Sequence, residues 1–239
     1  MRGGTVTRLP GRLLKRGFFE ASPEQVAPRL LGKVLARVTA GGVLVGRIVE
    51  TEAYLGPHCL PPDPAAHSYR GPTPRNSVLF GPAGHAYVYA IYGRYFCMNI
   101  SCEVEGQAGC VLLRALEPVA GADEMAVNRG LGSGAASRQT TPATKTYRWG
   151  PRKVTSGPSR LCQALGLTRA AHDGLDLLDA KSALQVRDDG YAVDEVLVTP
   201  RIGINKMNEA VNWPLRFALA GHPCVSGAKN LTGKRIHLR

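Results

Sequence analysis

Closely spaced β-rich runs constrain this chain more than any other feature. Residues 33–54 carry KVLARVTA and GVLVGRIVETEAY, joined at Gly41-Gly42, a pair whose tolerance of positive φ marks a hairpin. HAYVYAIY and RYFCMNIS follow, turning at Tyr92-Gly93 or slightly around it, and then comes GCVLLRALEP. Further along, ALQVR and DEVLVTPRIGI flank Asp189-Gly190. Runs this close pair antiparallel, because a parallel pair needs a crossover of about a dozen or more residues. Helix signals are few. Ser22-Pro23-Glu24-Gln25 offers a cap, a proline for the first turn and an acid, leading into Val26, Leu30 and Leu31. Ser156-Gly157-Pro158-Ser159 opens a second helix through Leu161 and Leu165, with Gly166 as its stop. With no internal repeat and no strand–helix alternation, the chain reads as α+β rather than a doubly wound sheet.

Charge narrows the partner class. Thirty Lys and Arg against eighteen Asp and Glu leave a net charge of +12 on 239 residues, which calls for a polyanion such as nucleic acid. The charge is segregated. Residues 126–172 contain no acid but include Arg129, Arg138, Lys145, Arg148, Arg152, Lys153, Arg160 and Arg169, whereas acids return from Asp173 to Glu195. A chance run of solvated cations is the alternative. Residues 130–155, rich in Gly, Ser, Thr, Arg and Lys, read as a long mobile basic loop, and residues 1–17 as a basic N-terminal arm ahead of one domain spanning 18–239. No stretch approaches the ~20 apolar residues of a membrane span, so no membrane partner is expected. The six cysteines form no C-x-x-C pair and have no histidines at zinc-finger spacing; they are expected as buried thiols in a reducing compartment, with no structural metal.

Two places invite chemistry. In IVETEAYLGP (48–57) strand alternation puts Glu50, Glu52 and Tyr54 on one face and Val49, Thr51 and Ala53 on the other. On a desolvated surface, one carboxylate can serve as a base while its neighbour is paired or protonated. On periodicity alone, two solvated glutamates on an exposed strand explain the pattern better. The second place is aromatic: the chain is 6% aromatic, yet Tyr87, Tyr89, Tyr92, Tyr95 and Phe96 crowd into 87–96. Tyr87 and Tyr95 suit sheet packing. Tyr92, beside Gly93 at the hairpin tip, is placed to wedge between bases, and Tyr89 offers a face on which a base can stack.

TEAYLGP, AAHS (65–68), TPRN (73–76), YVYAIYGRYFCMNIS, LLRALEP (112–118), SGPSRLCQALG and TPRIGI occur in that order, and together the chain resembles the alkyladenine (3-methyladenine) DNA glycosylase family over about 18–226. Each segment alone is a weak signal; their collinearity is a strong one. The resemblance implies a curved antiparallel sheet flanked by helices with a protruding hairpin. It also implies hydrolysis of the N-glycosidic bond of alkylated or deaminated purines after the nucleotide is flipped from double-stranded DNA. By the same resemblance Glu52 is the general base, Arg114 helps hold its water, and Glu50 is structural. Tyr54 stacks on one side of the flipped purine and His67 and Tyr89 on the other. The His67 amide reads the purine edge, Asn99 excludes guanine's amino group, and Tyr92 fills the gap in the duplex. Plainer roles stay open: Arg114 satisfying a buried Glu50, His67 anchoring a loop, Asn99 closing a turn. Arg75 and Asn76 belong in a loop near the site with no chemistry assigned.

No cofactor and no metal are implied, and a monomer is expected, cytoplasmic if bacterial and nuclear if eukaryotic. No lysine falls in these motifs to act as an amine nucleophile, so a monofunctional hydrolase leaving an abasic site is expected. The chain departs from the family pattern in the longer, proline-rich GPHCLPPDP (56–64), in SCEVEGQAGC (101–110) and in the 130–155 loop. Two rivals are a noncatalytic nucleic-acid-binding module of the same fold, which needs no Glu52 or Arg114, and a sugar glycosidase. Two acids on one strand face flank a sugar's scissile bond poorly.

Overall fold

The computed structural model describes residues 9–132, 150–227 and 231–238. Its elements are β1 (Arg12–Leu13), α1 (Pro23–Leu30), β2 (Val34–Thr39), β3 (Gly42–Tyr54), β4 (Ala86–Ile91), β5 (Tyr95–Cys102), β6 (Gly109–Ala120), α2 (Ala122–Asn128), α3 (Pro151–Thr155), α4 (Pro158–Ala164), α5 (Arg169–His172), β7 (Leu184–Asp188), β8 (Glu195–Thr199), β9 (Arg216–Leu219) and β10 (Lys234–His237). The strands form one antiparallel, unclosed sheet in the order β1-β7-β2-β3-β6-β5-β4, and a branch β9-β8-β10 joins it through β3. This is the α+β single domain anticipated from the short turns. Among the described residues no helix is long and apolar enough to cross a membrane.

β3 organises the molecule because its thirteen residues serve three partners. One edge pairs with β6 along most of its length, with register shifts around Glu50. The other edge pairs with β2 over 42–47 and, further on, with β9 at Glu50, Thr51 and Glu52. A shorter strand would leave that second edge open; here it brings Arg216 beside the two glutamates.

The alternation expected of β3 holds and separates two environments. On one face Val49 and Ala53 join the main core with Val26, Ala27 and Leu30 of α1, and the Thr51 hydroxyl donates to the Ala27 carbonyl at 2.9 Å. α1 starts at Pro23 as its sequence indicates, with Glu24 in the first turn, and packs on β3, β6 and β9. On the other face Tyr54 packs against a smaller cluster of Leu79, Tyr87, Tyr89, Cys97, Cys110 and Leu112. Each fully buried Leu or Ile of the main core contributes about 1.5–3 kcal/mol over its exposed state, so that side fixes the strand and frees the other for polar groups.

Two expectations need correction. Within 130–155, residues 151–155 form α3 rather than loop: Val154 enters the core and the Thr155 hydroxyl donates to the Leu116 carbonyl at 2.6 Å. Residues 133–149 of that loop lie outside the described residues. Within the N-terminal arm, residues 9–17 are docked, not free. β1 pairs with β7, Arg187 donates to the carbonyls of Pro10 and Gly11 at 2.8 and 2.7 Å, and Arg16 pairs with Asp176 at 2.7 Å. Residues 1–8 lie outside the described residues. All six cysteines are free thiols, and burial pushes Cys110 and Cys224 up to about 12 and Cys102 and Cys162 well above the ordinary thiol value. Cys110, Cys224, Cys102 and Cys162 therefore act as small neutral packing groups.

Candidate active site

Glu50 and Glu52 have no solvent exposure, which removes the reading of two solvated glutamates. Arg114, on the facing strand β6, lies between them: Nε donates to Glu50 Oε1 at 2.9 Å and Nη1 is 3.2 Å from Glu52 Oε1. Their environments then diverge. Glu50 is saturated by cations and polar hydrogens. Its Oε1 also accepts from Arg216 Nε at 2.7 Å and Ser226 Oγ at 2.8 Å, and its Oε2 accepts from the Ser226 amide at 2.7 Å. Arg114 thus satisfies the buried Glu50 and also touches Glu52.

Glu52 is less fully engaged. The Ile202 amide donates to Oε1 at 2.7 Å and the Tyr54 hydroxyl donates to Oε2 at 3.1 Å, leaving acceptor capacity on Oε2. Burial is the largest influence on this carboxyl and pushes its pKa up; Arg114, the Ile202 amide and the Tyr54 hydroxyl pull it down, and Glu50 adds to the rise. The net direction is upward. Burial works against the charge of Arg114, but Glu52 and Glu50 outweigh it and raise its pKa, so the guanidinium stays charged.

A second buried ion pair ties the following loop to this strand. Asp63, in the proline-rich loop, accepts from Arg201 Nη1 at 2.5 Å and Nη2 at 2.9 Å, and also from the amides of Leu55 and Ala65 at 3.1 and 3.0 Å. Arg201 in turn donates to the Ala53 carbonyl at 3.0 Å and lies 4.5 Å from the centre of the Tyr54 ring. Tyr54 is therefore held at its face by Arg201 and at its hydroxyl by Glu52. The same clamp fixes the start of AAHS.

His67 stands edge-on to Tyr89, with ring centres 4.6 Å apart, and its Nδ1 is 3.0 Å from the Tyr87 hydroxyl. Tyr87 and Tyr89 stack at 5.1 Å, side by side on one face of β4. Burial, helped by Arg75, lowers the His67 pKa and keeps the ring neutral near pH 7. Burial also pushes the Tyr87 hydroxyl up to about 12. Asn76 anchors the loop, its Nδ2 donating to the His67 carbonyl at 2.9 Å and to Gly71 at 3.1 Å. Asn99 lies inside β5 rather than at a turn; its Nδ2 donates to Cys110 Sγ at 3.0 Å, and its buried Oδ1 has no hydrogen-bond partner among the described residues.

Tyr92 is set apart from this group. At 90% exposure it is among the most exposed large side chains described, and it adopts φ +48° ahead of Gly93 at +73°. A non-glycine residue in that region is uncommon. Replacing Tyr92 with Ala is expected to leave the melting temperature within about 1–2 °C of the parent, because surface substitutions usually change stability by less than about 0.5 kcal/mol. Differential scanning fluorimetry checks this.

The sequence-chosen residues thus gather on one side of β3, β4, β5 and β6, except the protruding Tyr92. Sequence reasoning missed Arg216, Ser226, Asp63 and the roles of Arg201 and Ile202. TPRIGI was visible as a motif without a role for either residue, and a lone arginine in LRF or an aspartate among prolines carries no local signal.

Against known proteins, a family model described as methylpurine-DNA glycosylase matches residues 17–223. A protein of Koribacter versatilis (strain Ellin345), named "Putative 3-methyladenine DNA glycosylase", is 49% identical over 218 residues, covering 91% of this chain and 95% of its own. Proteins with the same name from Burkholderia lata and Rhodopseudomonas palustris (strain ATCC BAA-98 / CGA009) are 42% and 46% identical, over 95% and 87% of this chain and 97% and 85% of theirs.

Proposed function

Since this chain belongs to the methylpurine-DNA glycosylase family, we propose that it hydrolyses the N-glycosidic bond of alkylated or deaminated purines flipped from duplex DNA. The observation that carries the reading is Glu52: a buried carboxylate with its pKa raised and acceptor capacity left on Oε2, beside a guanidinium and a set of rings. Ionised Glu52 takes a proton from a water on Oε2. The water oxygen bonds to C1′, the glycosidic bond breaks, and its electron pair leaves with the purine. N3- or N7-alkylated purines are cationic and leave readily. Hypoxanthine is neutral and requires protonation as well, for which these residues supply no evident acid. Arg114 holds Glu52 by charge. Tyr54 faces the purine from one side and His67 and Tyr89 from the other, while Asn99 crowds the exocyclic amino group of normal guanine and so selects against it.

Tyr92 fills the vacated place in the duplex, and the net charge of +12 draws the DNA. The test is duplex DNA carrying hypoxanthine or N-methylated purines: free base and alkali-labile sites are expected, with no strand cut before alkali. Tight binding with no base released would instead identify a noncatalytic module. Tyr92→Ala is expected to lose excision from duplex while keeping it on single strands. Equal loss on both would remove the wedge role.

The raised pKa of Glu52 predicts a pH dependence. The base must be ionised, so the rate falls as pH drops through a pKa above the ordinary carboxylate range. Single-turnover excision of 7-methylguanine, whose leaving group needs no further proton, is expected to show this acid limb. A limb at the pKa of a free glutamate would contradict it.

A further inference from the structure

The two loops that depart most from the family pattern near the site, 56–64 and the segment after β5, meet at a cluster the glycosylase reading does not use. His58 Nε2 lies 3.0 Å from Glu103 Oε1 and 3.7 Å from Cys59 Sγ, and one ligand atom from each residue falls within 4.8 Å of the others. A tetrahedral zinc ion with bonds of about 2.3 Å to sulfur and about 2.0–2.1 Å to nitrogen or oxygen separates these atoms by roughly 3.3–3.6 Å. The observed spacings need only small side-chain rotations to match.

The cluster is built into the fold. Glu103 is 7% exposed, and its Oε2 is buried with no hydrogen-bond partner among the described residues, a costly state for a carboxylate unless a cation compensates it. Its backbone takes φ +71°, and its amide donates to the Phe19 carbonyl at 2.8 Å. Two glycines make the room. A Cβ on Gly109 would fall 2.2 Å from Glu103 Oε2, and one on Gly56 would fall 2.3 Å from the His58 ring. A histidine–glutamate pair alone explains neither the orphaned oxygen nor the thiol beside it.

We infer that His58, Cys59 and Glu103 bind one divalent transition-metal cation of the zinc class, clasping the proline-rich loop to the end of β5. Imidazole nitrogen, thiolate and carboxylate are the donor set such an ion takes. On binding, Cys59 releases its proton to solvent, and the two anionic ligands balance the 2+ charge. Cys59 also borders a cleft shared with Glu24, Leu55 and Trp213. The inference stands apart from the glycosylase reading, because none of the three residues touches Glu52.

Cobalt titration of the chelator-treated full chain tests it. One cobalt per chain is expected, with a thiolate-to-cobalt charge-transfer band that zinc abolishes by displacement. The band should vanish in Cys59→Ser. Zinc affinity should fall in His58→Ala by more than the about 10- to 100-fold that loss of an outer-shell partner costs. Zinc should raise the melting temperature of the parent but not of Cys59→Ser. Glu103→Gln is read beside Cys59→Ser, whose position on the loop spares the core. No band in the parent, or a band that persists unchanged in Cys59→Ser, overturns the site.

Discussion

Glu52→Gln is expected to lower single-turnover excision of hypoxanthine by about 10²- to 10⁴-fold, the usual worth of a positioned general base, or roughly 3–5 kcal/mol of barrier. Duplex binding should persist, because Gln keeps the shape: its carbonyl oxygen can still accept from the Ile202 amide, and its NH2 can donate to a rotated Tyr54 hydroxyl. Stability provides an independent reading. An acid whose pKa is raised on folding binds protons more tightly in the folded chain, so its contribution is full at low pH. That contribution is lost as pH rises from the ordinary carboxylate range through the raised value. At neutral pH the ionised Glu52 therefore costs stability, and Gln removes that cost while Arg114 keeps Glu50 as partner. The variant should melt at or above the parent temperature at pH 7. Excision that survives the substitution would remove Glu52 as the base; a large drop in melting temperature would mean lost activity is lost folding.

Glu50→Ala should behave in the opposite way, as a folding defect first. It strips the charge partner from Arg216 and one of two from Arg114, both nearly fully buried. Among the described residues Arg216 would keep only the Ser226 carbonyl at 2.8 Å and the Thr199 hydroxyl at 3.4 Å. Breaking a buried pair from one side costs about 3–5 kcal/mol, because an uncompensated charge remains. For a domain of this size that is a fall of roughly 6–20 °C in melting temperature. The paired variant Glu50→Leu with Arg216→Met should recover much of the loss, since replacing both partners with apolar groups is often neutral or better. Thermal melts of the two singles and the double close the cycle. A loss below about 1 kcal/mol for Glu50→Ala would show that the network relaxes around the gap.

The contrast between these adjacent acids separates what the residue order settles from what the fold decides. Alternation along β3 is a property of the backbone over a few residues. So the placement of Glu50, Glu52 and Tyr54 on one face, and of Val49, Thr51 and Ala53 on the other, was legible in IVETEAY. The hairpin with Tyr92 at its tip was legible for the same local reason, as was the start of α1 at Pro23. Helix α3 was not. Its residues look like loop by composition, and tertiary contacts stabilise the turn: Val154 and Thr155 engage the core, and Arg152 donates to the carbonyls of Pro223 and Val225.

Whether the glutamates would be solvated or sealed also lay beyond the sequence. The groups that seal them are distant in the chain: Arg216 and Ser226 lie 166 and 176 residues from Glu50, and Ile202 lies 150 from Glu52. Asp63 finds Arg201 across 138 residues, and His58 finds Glu103 across 45. Local periodicity thus chose which side chains face the site. Tertiary structure chose their dielectric and their partners, because β9 and the segments around 201 and 226 close over one edge of β3, and charge burial depends on what closes rather than on what neighbours in sequence.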